Sequence, residues 1–159
     1  MTYKFIWSEE DFEQMNWHDV IVHAFSIVPK EYDYELMLDI DYIFEWIKPV
    51  PPDTHYLFII APATISFPGA WDIETDLSTR KDISEPISIL DIQRSNPRET
   101  NVADIIGWDW KIILEQGSIS FSGYGFKQYI RKEPMVSDSN VLEVAQRGDI
   151  SFCKDKSLA

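Results

Sequence analysis

The chain has 159 residues, of which 45% are hydrophobic and 14% aromatic, with one cysteine and a formal charge of −13. That length predicts a single domain with its own core, and the apolar content separates it from disordered chains. Cys153 alone excludes an intramolecular disulfide and a multi-cysteine zinc site, while the acidity disfavours nucleic acid and anionic membranes as partners.

The N-terminal residues, Met1 to Trp7, lack a basic region followed by a long apolar run, so they do not read as a signal peptide. No apolar stretch approaches the ~20 residues of a membrane helix. A cytoplasmic location in a reducing compartment is the expectation. The charge is uneven: residues 1–46 carry 11 acidic and 2 basic side chains, the remainder 16 and 12. The same first 46 residues hold 11 of the 22 aromatics.

Ser8-Glu9-Glu10-Asp11 opens a short helix: Ser8 can cap it, acidic residues occupy its first turn, and Phe12 and Met15 fall on one face. Val20 to Val28 is rich in β-branched and aromatic residues and ends at Pro29, which predicts a strand. The next run alternates. Tyr32, Tyr34, Leu36, Leu38, Ile40, Tyr42 and Phe44 share one face, and Asp33, Glu35, Met37, Asp39 and Asp41 the other. Its length predicts a bend or bulge near Asp41.

Three prolines between Pro49 and Pro52 make a loop. His55 to Ile60 and Thr64 to Phe67 read as strands broken at Pro62, followed by Ala70 to Leu77 and a polar turn at Lys81 and Asp82. Ile87, Ile89 and Ile92 mark another strand, and residues 95–101 a polar loop. Trp108 to Leu114 alternates again, and Gln116-Gly117 turns it into Ser118 to Ser122, a hairpin. Gly123 and Gly125 suggest a bulge before Phe126 to Ile130. Ser137 to Gln146 fits a short helix ending at Gly148, and Ile150 to Cys153 a last strand.

The expected fold is therefore mainly β over residues 1–159: an antiparallel sandwich or partly open barrel with a short N-terminal helix and a short C-terminal one. Residues 154–159 form a frayed tail.

Residue types that could ligate a metal gather in one segment. With residues 20–28 and the following run paired, Asp19, His23, Asp39, Asp41 and His18 could converge at one end. Histidine with several carboxylates suits a divalent ion or general-base chemistry. The placement depends on register, since a slip of one residue turns every carboxylate over. Asp39 and Asp41 are equally what the solvent side of an amphipathic strand carries, and Asp19 can cap a turn or orient the His18 ring.

Other chemistry is absent or weak. No Gly-x-Ser-x-Gly elbow occurs, Cys153 has no nearby base, and Gly123-Tyr124-Gly125 lacks the glycines and helix of a phosphate loop. Arg131-Lys132 beside Phe126 and Tyr129 reads as a salt-bridged edge. Trp108 and Trp110 follow the strand period with Ile112 and Leu114 and so read as core.

Aromatic rings among carboxylates suit an interface with a basic protein, in which rings anchor and charge steers. The residues expected to form that surface are Trp17, Asp33, Glu35, Asp39, Asp41 and Trp46. The leading expectation is a non-enzymatic protein-binding module without a cofactor. The alternative is a divalent-metal-binding protein or metal-dependent hydrolase using His18, Asp19, His23, Asp39 and Asp41.

The segments Asn16-Trp17-His18-Asp19, Leu38-Asp39-Ile40-Asp41-Tyr42-Ile43, Ala61 to Phe67, Gly117 to Phe121 and Ile130-Arg131-Lys132-Glu133-Pro134 together resemble a group of uncharacterised bacterial single-domain proteins. A small acidic protein with a His-Asp pair opening its first strand is also similar to some immunity proteins of polymorphic toxin systems. The resemblance implies bacterial origin and cytoplasmic residence. It transfers no catalytic residue.

Overall fold

The computed structural model describes residues 2–156. Nine strands make one antiparallel sheet: β1 (Ile6–Ser8), β2 (Ile21–Pro29), β3 (Tyr34–Ile47), β4 (Leu57–Leu77), β5 (Ile87–Glu99), β6 (Ile106–Leu114), β7 (Gly117–Gly123), β8 (Lys127–Ile130) and β9 (Met135–Ser137). The helical parts are a 3-10 helix, Glu9–Gln14, and one α-helical turn, α1 (Val144–Arg147).

The spatial order runs β1-β8-β4-β3-β2-β5-β6-β7, and β7 pairs back onto β4. One strand makes this possible. The first part of β4 pairs with β3 and its last part, Trp71 to Leu77, with β7, so the sheet curls into a ring. Gly117 permits the β7 contact: its φ is +147°, and a Cβ there would lie 1.8 Å from the Asp76 carbonyl oxygen. Only glycine fits.

Inside the ring lie Leu36, Leu38, Ile40, Ile65, Ile89, Ile112 and Ile119, all fully buried. At one end the 3-10 helix feeds Phe12 into an aromatic group with Trp17, Phe67, Trp110 and Phe126. Offset and edge-on contacts of this kind each add a fraction of a kcal/mol to about 1.5 kcal/mol beyond area burial. Trp17 Nε1 donates to Gln128 Oε1 at 2.9 Å, so the indole keeps its hydrogen bond inside the core.

The expected short N-terminal helix is present as 3-10, with the Ser8 and Asp11 capping box. Other expectations change. Pro62 does not break the strand. Its carbonyl accepts from Arg131 N–H, so the proline nitrogen faces that side too, where β9 has ended and β8 not begun, and no bond to β3 is lost. The bulge of β3 falls between Ile43 and Glu45, just past the expected place near Asp41, and a second shift opposite Tyr34 puts its extra residue on β4. Residues 95–99, expected as loop, continue β5 to Glu99. The C-terminal helix shrinks to α1, and Ile150 to Cys153 is extended but joins no ladder. Of the expected tail, Lys154 and Lys156 pair with Glu35 and Glu133; residues 157–159 lie outside the described part.

Candidate functional site

The alternation of β3 holds, but Asp39 and Asp41 on its polar face do not meet water. Residues 138–154, which include α1, cross it, and Asp39 and Asp41 lie beneath with no solvent exposure. Asp39 Oδ1 accepts from Arg131 Nη2 at 2.7 Å and also from Arg147 Nη2. Its Oδ2 accepts from Ser151 N–H at 3.0 Å. Asp41 Oδ1 takes Arg147 Nε at 2.8 Å; its Oδ2 takes Leu142 N–H at 2.9 Å and lies 2.6 Å from His23 Nε2. Arg131 also donates to Thr64 Oγ1, which donates to the Cys153 carbonyl.

Two carboxylates and two guanidinium groups thus neutralise one another out of water. Burial pushes the Asp41 carboxyl up, but hydrogen bonds from His23, Arg147 and Leu142 outweigh that and hold it below the ordinary carboxylate range. Burial lowers the affinity of Arg147 for its proton, and Asp39 and Asp41 more than restore it.

His23 meets Asp41, at a bulge that shifts the register of β2 on β3, and Arg147 links Asp41 to Asp39. His18 and Asp19 do not join them: they pair with each other at 3.3 Å near the surface, with Asp19 left-handed at φ +62°. Arginines stand where the metal reading put an ion, and every oxygen of Asp39 and Asp41 has a protein donor. Among the described residues no group of three His, Cys, Asp or Glu side chains is placed to hold a metal ion.

The surface assigned to a partner is corrected more heavily. Trp17, Glu35, Asp39 and Asp41 are buried, so four of its six residues cannot touch a partner in this fold. Trp17 is a core residue. Glu35 accepts from Ser66 and Lys154, each at 2.6 Å, which overcomes its burial and lowers its pKa. Asp33 is half-buried. Trp46 is 41% exposed and packs edge-on against Tyr56 and Phe58. Arg131, expected at a salt-bridged edge, is 1% exposed in the buried network.

An acidic and aromatic surface does exist, in the other half of the ring. A cleft of about 780 Å³ lies over β5, β6, β7 and the end of β4, with the 3-10 helix at one side. Phe12, Trp108 and Trp110 contribute rings, and Glu13, Asp72, Glu74 and Asp109 contribute carboxylates. The Arg94 guanidinium sits 4.3 Å from the ring centroids of both Phe12 and Trp108, a cation–π stack, and Lys111 also lines the cleft, so four carboxylates face two cations there. Glu13 reaches it at only 3.5 Å and is 83% exposed.

The carboxylates differ in freedom. Asp109 is held by Asn96, Arg98 and Ser122, and all three lower its pKa. Asp72 and Glu74 make no hydrogen bond or ion pair among the described residues. The register shift between Trp71 and Glu74, with Asp72 at φ +52°, aims that part of β4 into the cleft. Sequence reasoning passed over this site because its residues are scattered from position 12 to 122. Trp108 was the available signal: it shares the strand period of Trp110 yet remains half-exposed.

No family model matches the chain, and neither a curated protein nor a solved structure shows significant similarity to it.

Proposed function

We propose that this chain is a non-enzymatic binding module, acting in the cytoplasm, whose cleft over β4, β7, β6 and β5 receives a basic segment of a protein partner. The carrying observation is that Asp72 and Glu74 are exposed and without protein partners beside the Phe12–Arg94–Trp108 stack. Carboxylates without partners attract cations, and the adjacent rings supply the flat apolar area that anchors a lysine or arginine stem. Neutralising a basic toxin is one form of this function, in keeping with the resemblance to immunity proteins.

The test is titration of the protein with a lysine- and arginine-rich peptide, followed by tryptophan fluorescence, at low and high salt. Binding should weaken roughly tenfold as salt rises from ~20 mM to ~500 mM, because the Debye length contracts to a few Å. Asp72→Asn with Glu74→Gln should weaken it at low salt, while a glutamate-rich peptide should not bind. Equal affinity at both salt concentrations, or no effect of the double substitution, would remove the cleft from consideration.

A further inference from the structure

The ring has one weak joint. β2 and β5 pair only at Ile21–Ser88 and Val22–Ile87, reinforced by two backbone bonds between Asp19, Val20 and Ile89. Past Val22 a bulge at His23 changes the course of β2, and Ala24 to Pro29 pair with β3 on one side and, among the described residues, with no strand on the other. The loop of residues 78–86, which leads into β5, makes no hydrogen bond to that edge. Every residue of it is exposed, and its ties run to the β6–β7 turn, through Ser78 N–H to the Gln116 carbonyl and Gln116 Nε2 to the Pro86 carbonyl.

An open edge is normally guarded by charge, proline or brevity. β5 past Ile89 is guarded by Asp91, Arg94, Pro97, Arg98 and Glu99, and β1 has only three residues. β2 has no aspartate, glutamate, lysine or arginine between Ile21 and Pro29, in a chain of charge −13. Phe25 and Ile27 stand on the core side of the sheet opposite Leu38 and Leu36, which are fully buried, yet they remain 37% and 39% exposed. Their burial is unfinished because no strand lies beyond them.

We propose that a second copy of this chain supplies that strand, the two β2 edges pairing antiparallel about a twofold axis at Ser26. The sequence Ala24-Phe25-Ser26-Ile27-Val28 is self-complementary in this arrangement. Ser26 meets Ser26, Phe25 meets Ile27 twice, and Ala24 meets Val28 twice. An aromatic ring opposite a β-branched side chain is a favourable cross-strand pair, and an isologous contact closes at two copies. The paired segments carry no like charges to separate. The interface is smaller than the standard size for stable complexes, so the dimer is a reversible one.

Charge gives this proposal a sign opposite to that of the cleft. Two chains of −13 repel at long range, so salt should strengthen the pairing, whereas it weakens capture of a basic segment. Sedimentation equilibrium of the full chain from roughly 10 µM to 1 mM spans the range in which a small interface dissociates. The dimer fraction should rise with salt and fall at least tenfold in association constant for Ile27→Lys.

A second variant is independent of that substitution. Ser26→Cys in a Cys153→Ser background places two thiols opposite each other across the axis, with Cα atoms about 4.5–5.5 Å apart, inside disulfide range. Oxidised glutathione should then convert the pair of thiols to an intermolecular disulfide, releasing two reduced glutathiones, and Glu31→Cys in the same background should couple far less. A protein that remains monomeric through the whole range in high salt, or Ser26→Cys that couples no better than Glu31→Cys, overturns the proposal. Peptide capture by the cleft is unaffected by either result, so the two readings fail separately.

Discussion

The molecule has two acidic regions of similar composition and opposite fate. Around Asp39 and Asp41 the carboxylates are dry, each oxygen occupied by a guanidinium, imidazole or backbone donor. Asp72 and Glu74 are exposed and, among the described residues, without partners. What separates them is cover. A chain segment carrying its own arginine crosses the first, and only the 3-10 helix borders the second. Buried charge of this kind fixes a unique arrangement at little net gain in stability, and its cost appears when one partner is removed. Exposed charge contributes little to stability and remains available for recognition.

That contrast can be broken by substitution. The largest effect should come from Asp39→Ala, which leaves Arg131 buried without a carboxylate and Arg147 with Asp41 alone; unfolding in urea should show a loss of about 3–5 kcal/mol. A loss below ~1 kcal/mol would mean the network is solvated. Arg147→Met should cost less, about 2–4 kcal/mol, because Asp39 keeps Arg131 and Asp41 keeps His23 and the Leu142 N–H.

Acid should act on the same network. Asp41 and Glu35 have pKa values lowered on folding, so the unfolded chain binds more protons as pH falls past the ordinary carboxylate value of about 4. Their stabilising contribution is complete above that pH and disappears as pH drops through the folded values. Thermal melting should therefore decline below ~pH 4, and Asp41→Asn should flatten the decline. An unchanged acid slope in that variant would separate Asp41 from the effect. The smallest change is expected in the other region: Asp72→Asn with Glu74→Gln should leave unfolding stability within ~0.5 kcal/mol of the parent while reducing peptide binding.

The difference between the regions also explains what the sequence could and could not disclose. The strand period of β3 was legible, and Leu36, Leu38, Ile40 and Tyr42 do face the core. Periodicity assigns faces but says nothing of what lies over them. The cover for Asp39 comes from Arg131 and Arg147, 92 and 108 residues away, and nothing local marks that contact. His23 meets Asp41 because hairpin pairing is local. Adjacency drew His18 and Asp19 into the same group, and the turn carries them elsewhere. Pro62 misled for a different reason: whether proline breaks a strand depends on which side its nitrogen faces, a matter of neighbouring strands and not of composition. The cleft was the least legible feature, assembled from five elements that only the closure of β4 on β7 brings together.

The attachment of residues 138–154 bears on how the chain acquires its structure during synthesis. Only Leu142 of that segment belongs to the apolar core, so it is fastened mainly by polar bonds to residues made far earlier. At roughly 5–20 residues per second, Asp39 is joined to the chain about 5–20 s before Arg147 is added. For that interval β3 can form its hairpins with β2 and β4, but its carboxylates must stay hydrated. The final seating of the sheet therefore waits on the translation of its own counter-ions.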